Sequence, residues 1–382
     1  MNNKNSGYLN LPALLLMTFL ILHFSFGIKA QSSGMANSSL KTVLKINPSD
    51  DNPRNSEGDF IALNDGRILF IYTHFTGGDG DHASAFLAGR YSNDGGLTWS
   101  DEDIEIIAND TGLNIMSVSL LRLFNGPIAL FYLRKASLTD CRPVLRISQD
   151  EGNTWGDEIN CITDRIGYFV LNNDRVIQLK NGRLLVPVSQ HAAPDMEWSV
   201  SGRIRTYYSD DNGGSWNVGN EVENPDDAIL QEPGVVELKD GSILMFMRTD
   251  SGVQYVSFSY DHGVSWSPAE PSGIKSPRSP ASIERIPSTG DLLMVWNNNG
   301  GENKAIAGKR TPFNIGVSKD EGKTWQMIRT LADDPEGWYC YTAIEFAGGH
   351  VLLGHCAGNR EVKSGLAVTH ISRLSLDWIY GK

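Results

Sequence analysis

A small set of residues in this chain could do chemistry together. Arg54, Ser56, Glu57 and Asp59 form one group, Asp81 and His82 a second, and Glu232 and Arg248 a third; Arg310 stands alone, and Tyr339 and Tyr341 complete the series. Three arginines could hold an anion, because a guanidinium fork matches a carboxylate with two parallel hydrogen bonds. A carboxylic acid could protonate a leaving oxygen. A tyrosine could act as a nucleophile, but a phenol titrates near ~10 and needs a base in contact with it. These residues are spread along most of the chain, so a fold must gather them.

The repeats say which fold. One pattern, S-x-D-x-G-x-[ST]-W, occurs five times, starting at Ser92, Ser148, Ser209, Ser259 and Ser318, at spacings of 56, 61, 50 and 59 residues. In each copy the Asp can fold back on the backbone, the Gly can take a positive φ and the Trp can cover the turn, which describes a hairpin. A second signal is interleaved with it. Two apolar runs flank a glycine turn at Asp65-Gly66, Asn125-Gly126, Asn181-Gly182, Asp240-Gly241, Thr289-Gly290 and Gly348-Gly349. Each repeat then has strand A, a glycine turn, strand B, a longer connection, strand C, the Asp motif and strand D. Six repeats of roughly 59 residues match four-stranded propeller blades. The fold expected is all-β, a six-bladed β-propeller of antiparallel blades. The sixth repeat lacks the Asp motif; its third strand is expected at Leu366–Ser372 and its fourth at Leu40–Ile46, which would close the ring.

Strand phase places the chemistry. The A–B turn and the C–D turn of each blade lie on one face, so the start of A, the end of B and the start of C lie on the other. The residues named at the outset fall at those three places, and the five Asp motifs fall on the opposite, structural face. Arginines, acids and tyrosines around one axis suit an enzyme acting on a carboxylated sugar. His74, His191 and His355, near the ends of B strands, read as wall residues.

Composition narrows the partners. With 33 Lys and Arg against 45 Asp and Glu the formal charge is −12, so neither nucleic acid nor an anionic membrane is an expected partner. Residues 1–30 combine Lys4, an apolar run from Leu11 to Phe26 and a small residue at Ala30, the pattern of a cleaved secretory signal. The domain is then 31–382, secreted or periplasmic, with no stable membrane insertion and expected to be monomeric. Cys141, Cys161, Cys340 and Cys356 are too few and too scattered for a disulfide scaffold or zinc site. Cys340 and Cys356 flank the Gly348-Gly349 turn and could face each other, as thiols or as a disulfide. Gly77-Gly78-Asp79-Gly80-Asp81 lacks the further ligands of a calcium loop, and no phosphate loop or nucleophile-elbow serine occurs. No metal and no cofactor is expected.

The chain resembles the sialidase (exo-α-neuraminidase) family, whose members carry these motifs as Asp-boxes, or BNR repeats, on a six-bladed propeller; the resemblance spans essentially all of 31–382. Asp81-His82 precede the first Asp-box Ser by eleven, Glu232 precedes Arg248 by sixteen across a hairpin, Arg310 precedes the last Asp-box by eight, and Tyr341 opens the sixth repeat. The resemblance implies Asp81 as general acid/base, Tyr341 as nucleophile with Glu232 as its base, and Arg248 and Arg310, joined by Arg54, on the substrate carboxylate. It implies release of terminal sialic acid, or a related acidic α-keto sugar, from glycans with retention. A neutral phenol suits this role because a carboxylate nucleophile would be repelled by the substrate's own carboxylate; tyrosine is the known exception to the two-carboxylate scheme. One departure is evident. The family's first-blade arginine aligns near Glu57, and Arg54 stands three residues earlier, out of register. Two other functions fit the same residues: a propeller lyase or hydrolase for uronic-acid polysaccharides, and a non-catalytic glycan-binding propeller.

Overall fold

The apolar runs around each glycine turn pair as antiparallel strands. The computed structural model describes residues 40–110 and 112–382; the expected export signal lies outside these residues. Six antiparallel units follow in order, beginning with Arg54–Ala62, Asn114–Arg122, Tyr168–Val170, Gln231–Glu237, Ser282–Arg285 and Gly337–Ala347. Four of them are separate four-stranded sheets, and the second and third share a nine-stranded sheet through a short parallel contact between Tyr168 and Cys141. Leu40–Ile46 pairs antiparallel with Thr369–Ser375, so the start of the described chain supplies the outer strand of the sixth unit. Second strands such as Ile68–Phe75 are buried almost throughout, which is why they read as unbroken apolar runs. In the third unit the expected single first strand is two pieces, Tyr168–Val170 and Ile177–Gln178.

The five Asp-boxes repeat one hydrogen-bond pattern. Ser92 Oγ donates to Asp94 Oδ1 at 2.9 Å, and Asp94 accepts from Thr98 N at 2.9 Å and from Thr98 Oγ1 at 2.7 Å. Asp150, Asp211, Asp261 and Asp320 are held in the same way. Each box glycine also seats on a leucine of the preceding unit. A Cβ on Gly213 would lie 2.2 Å from Leu145, one on Gly263 2.8 Å from Leu185, and one on Gly96 2.7 Å from Leu352 of the sixth unit. Gly152 and Gly322 meet Leu69 and Leu244 in the same sense. The boxes thus staple the second to fifth units each to the one before it, and the first to the sixth, while the sixth, which has no box, meets the fifth without one.

The opposite ends of the first strands carry a second repeated device. Register shifts occur between Ser56 and Asp59, Met116 and Ser119, Gln231 and Gly234, and Cys340 and Ala343. In each, one extra residue bulges from the strand, bending it and re-aiming a side chain. The bulged residues Glu57, Ser117, Glu232 and Tyr341 have φ of 57°, 61°, 46° and 53°. Non-glycine residues rarely adopt this left-handed conformation, and such strain collects at functional sites. First strands meet near one point: Asn173 of the third unit donates to Gly58 O at 2.8 Å and to Tyr341 O at 3.2 Å, in the first and sixth units.

Candidate active site

Glu232 bulges from the start of its strand, and Arg248 ends the next strand as the register partner of Gln231. Sixteen residues of hairpin therefore bring the two side chains together. Arg248 Nη1 donates to Glu232 Oε1 at 2.5 Å, and Tyr341 Oη donates to the same oxygen at 3.2 Å. Arg310, just before the Phe313–Ser318 strand, lies with its guanidinium carbon 5.2 Å from the Tyr341 ring centre and 5.3 Å from that of Trp338. It donates to Cys340 Sγ at 2.9 Å. Glu232, Arg248, Arg310 and Tyr341 thus form one contact cluster contributed by three units.

Charge is distributed in a way that favours proton transfer. Burial alone would push the Glu232 carboxyl up, but Arg248 and Arg310 outweigh it and hold Glu232 below the usual carboxylate range. Burial, reinforced by the Glu232 charge, pushes the Tyr341 phenol far up. The result is an ionised base against a neutral phenol. Glu232 Oε2 and Arg248 Nε are buried with no hydrogen-bond partner, and Arg310 makes no ion pair among the described residues. Buried polar atoms without partners cost stability unless a ligand satisfies them.

Asp81 and Arg54 form a second, adjoining group. Arg54 is 2% exposed and donates to Asp81 Oδ1 at 2.6 Å, to Glu57 Oε1 at 2.7 Å and to Ser56 Oγ at 3.0 Å. The Asp81 side chain is 62% exposed. What desolvation it suffers is outweighed by Arg54, which holds Asp81 below the usual range. Burial pushes the Glu57 carboxyl up despite Arg54, and Ser117 Oγ donates to its second oxygen. The two groups share one electrostatic environment, since the Glu232 charge raises Glu57 and the Glu57 charge raises Tyr341. The His82 ring packs edge to face with that of Tyr168, ring centres 6.3 Å apart. Tyr339 stacks on Phe313, with ring centres 5.6 Å apart. Asp59 accepts from Leu120 N and so joins the first unit to the second.

Two residues, Lys135 and Ser117, escaped sequence reading. Lys135, ending its strand as Arg248 does, is buried and donates to the Asp81 carbonyl, and burial pulls its ammonium down. Ser117 occupies the bulge position of the second unit. Cys340 and Cys356 are direct strand partners and are thiols. Burial opposes ionisation of Cys340 but is outweighed by the Cys356 hydrogen bond and the Arg310 charge, which bring it to about 7. One signal was available: Glu57, Ser117 and Glu232 each lie eight residues before the first turn residue, at Asp65, Asn125 and Asp240. His191 and His355 are locked by hydrogen bonds to Ser189, Ser199, Ser372 and the Cys356 carbonyl, as wall residues would be.

The BNR repeat-like domain family matches residues 87–352 of this chain. The chain therefore belongs to that family, within the sialidase superfamily. It is 28% identical over 236 residues to a sialidase of Clostridium perfringens, covering 55% of this chain and 59% of the relative. A sialidase of Micromonospora viridifaciens is 27% identical over 347 residues, 81% of this chain and 50% of that one. The chain thus spans only about half the length of these curated relatives. The intramolecular trans-sialidase of Ruminococcus gnavus, solved with oseltamivir carboxylate, superposes with a TM-score of 0.69 at 15% identity, over 88% of this chain and 97% of that one. At that identity the likeness is one of fold. Among the described residues, no helix is long and apolar enough to cross a membrane.

Proposed function

We propose that this chain is an exported exo-glycosidase that hydrolyses terminal sialic acid, or a related acidic α-keto sugar, from glycans with retention. Its six units are the blades of one propeller, a reading supported by the ring of Asp-box contacts that runs from Gly96 on Leu352 round to Gly322 on Leu244. The observation that carries the activity is Glu232 Oε1, shared between Arg248 and the Tyr341 phenol. In the first step Tyr341 Oη bonds to the anomeric carbon while Glu232 takes its proton, and Asp81 protonates the departing glycosidic oxygen. In the second, Asp81 takes a proton from water, whose oxygen replaces Tyr341, and Glu232 returns the proton to the phenol. Arg248 and Arg310 hold the sugar carboxylate throughout; Arg248 Nε has no partner within the protein, and Arg310 carries no carboxylate partner among the described residues.

The test is to incubate the protein with a sialyl-lactose and follow the products by NMR. Free sialic acid appearing first as the α-anomer supports the reading. An unsaturated product, inversion, or binding without turnover contradicts it.

A further inference from the structure

The first unit offers a third arginine to the site and, three residues later, a carboxylate that occupies it. Arg54 Nη2 lies 2.7 Å from Glu57 Oε1 and Nη1 lies 2.6 Å from Asp81 Oδ1, while Nε donates to Ser56. All three nitrogens of the guanidinium are therefore used inside the protein. Glu57 is itself fixed, because its strand bulges there at a φ of 57° and Ser117 of the next unit donates to its other oxygen. Arg54 still lies in the neighbourhood of the arginine pair: the carbonyl of the next residue, Asn55, accepts from Thr369 at 2.8 Å, Thr369 is the strand partner of Cys356, and Cys356 is in turn the partner of the Cys340 thiol that accepts from Arg310.

We propose that Glu57 is a specificity-determining residue that withholds Arg54 from substrate, leaving a carboxylate clamp of only two arginines, Arg248 and Arg310. The physical reason is competition. A buried guanidinium already bonded to two carboxylates gains little from a further anion and would have to break an existing charge-assisted bond to reach it. Glu57 stands in register with Glu232 and Tyr341, so its side chain issues from the same bulge position towards the same site. Weak retention of the released acid follows, which favours product departure. This inference rests on the proposed function, because it takes the ligand to be a carboxylated sugar.

The experiment is a double-mutant cycle read by calorimetry. The probe is 2-deoxy-2,3-didehydro-N-acetylneuraminic acid, with its methyl ester as the uncharged control. Glu57→Gln removes the charge at nearly constant shape, and Glu57→Asn is the second variant because Asn tolerates positive φ. Either substitution is expected to tighten the acid about tenfold and leave the ester within about twofold. In an Arg54→Ala background the same substitution is expected to change acid binding by less than about twofold. No gain in a folded variant, an equal gain for the ester, or a full gain without Arg54 overturns the proposal. Wild-type turnover of sialyl-lactose is measured alongside: its absence counts against the proposed function, whereas turnover with no gain in the cycle counts against Glu57 alone.

Discussion

Tyr341 Oη lies 3.2 Å from Glu232 Oε1, the oxygen that Arg248 also holds. Both residues sit on bulges in the left-handed conformation, 109 residues apart in sequence. A phenol that burial keeps neutral and a carboxylate that two arginines keep ionised therefore meet without any proton having moved. Tyr341→Phe keeps the ring packing and removes the oxygen proposed to attack the sugar. Turnover is expected to fall by at least about a thousandfold, with the melting temperature little changed. Steady-state kinetics and thermal melts on the same preparation check both.

Arg248 and Arg310 should discriminate by charge. Either one replaced by Ala is expected to weaken binding of a carboxylated sugar by about 2–4 kcal/mol, while a neutral sugar of similar size loses far less. Calorimetry with the acid and its methyl ester separates the two effects.

Asp81 is held ionised by Arg54, yet a general acid must carry a proton. Because its folded pKa lies below the ordinary carboxylate value, the protonated fraction falls steadily as pH rises towards neutrality. Hydrolysis of a natural sialyl-glycan is thus expected to decline with rising pH more steeply than that of an activated aryl sialoside, whose leaving group needs little protonation. Asp81→Ala should remove most activity on the former and much less on the latter. Paired pH–rate profiles check this.

Much of this was legible in the chain because its causes are local. The Asp-box is a set of bonds within seven residues, from Ser92 to Thr98, so the local residue pattern alone reveals it. Glu232 and Arg248 were found because a hairpin converts sequence spacing into a cross-strand contact. The Arg54–Glu57–Asp81 arrangement was not legible. Asp81 lies 27 residues from Arg54 in a loop, and nothing in its type shows that it turns back to pair with that arginine. The bulges were hidden too, since Glu, Ser and Tyr do not announce a positive φ as glycine does. The split first strand of the third unit has the same origin, with Asp174 at a φ of 56° between its two pieces.

A cavity between the first strands also holds a linkage between pH and stability. Asp59, Asp174, Glu284 and Glu345 line this cavity of about 390 Å³ with Arg175. Burial raises all four carboxyls, Glu345 to about 7. Between the unfolded value near ~4.5 and the folded value, the native protein keeps a proton that the unfolded chain has lost, so stability falls as pH rises through that window. Glu345→Gln should flatten this fall and recover on the order of 2–3 kcal/mol at pH ~8. Denaturant melts across pH 4–8 read the slope.

The Asp-box staples should be separable from catalysis. Gly213 has a φ of 95°, and a Cβ there would meet Leu145 at 2.2 Å. Gly213→Ala is expected to cost about 2–4 kcal/mol of stability while leaving kcat close to wild type at low temperature.

In the proposed reaction Tyr341 bonds to the sugar, and covalent trapping can capture that bond. A 2,3-difluoro sialic acid derivative slows breakdown of a glycosyl–enzyme, because fluorine destabilises the oxocarbenium-like transition state. After brief incubation and acid quenching, peptide mass spectrometry should find one sugar mass on the peptide carrying Tyr341, and none in the Tyr341→Phe variant. Turnover of substrate with no adduct on Tyr341, or an adduct on Glu57, Asp81 or Glu232 instead, would contradict the account.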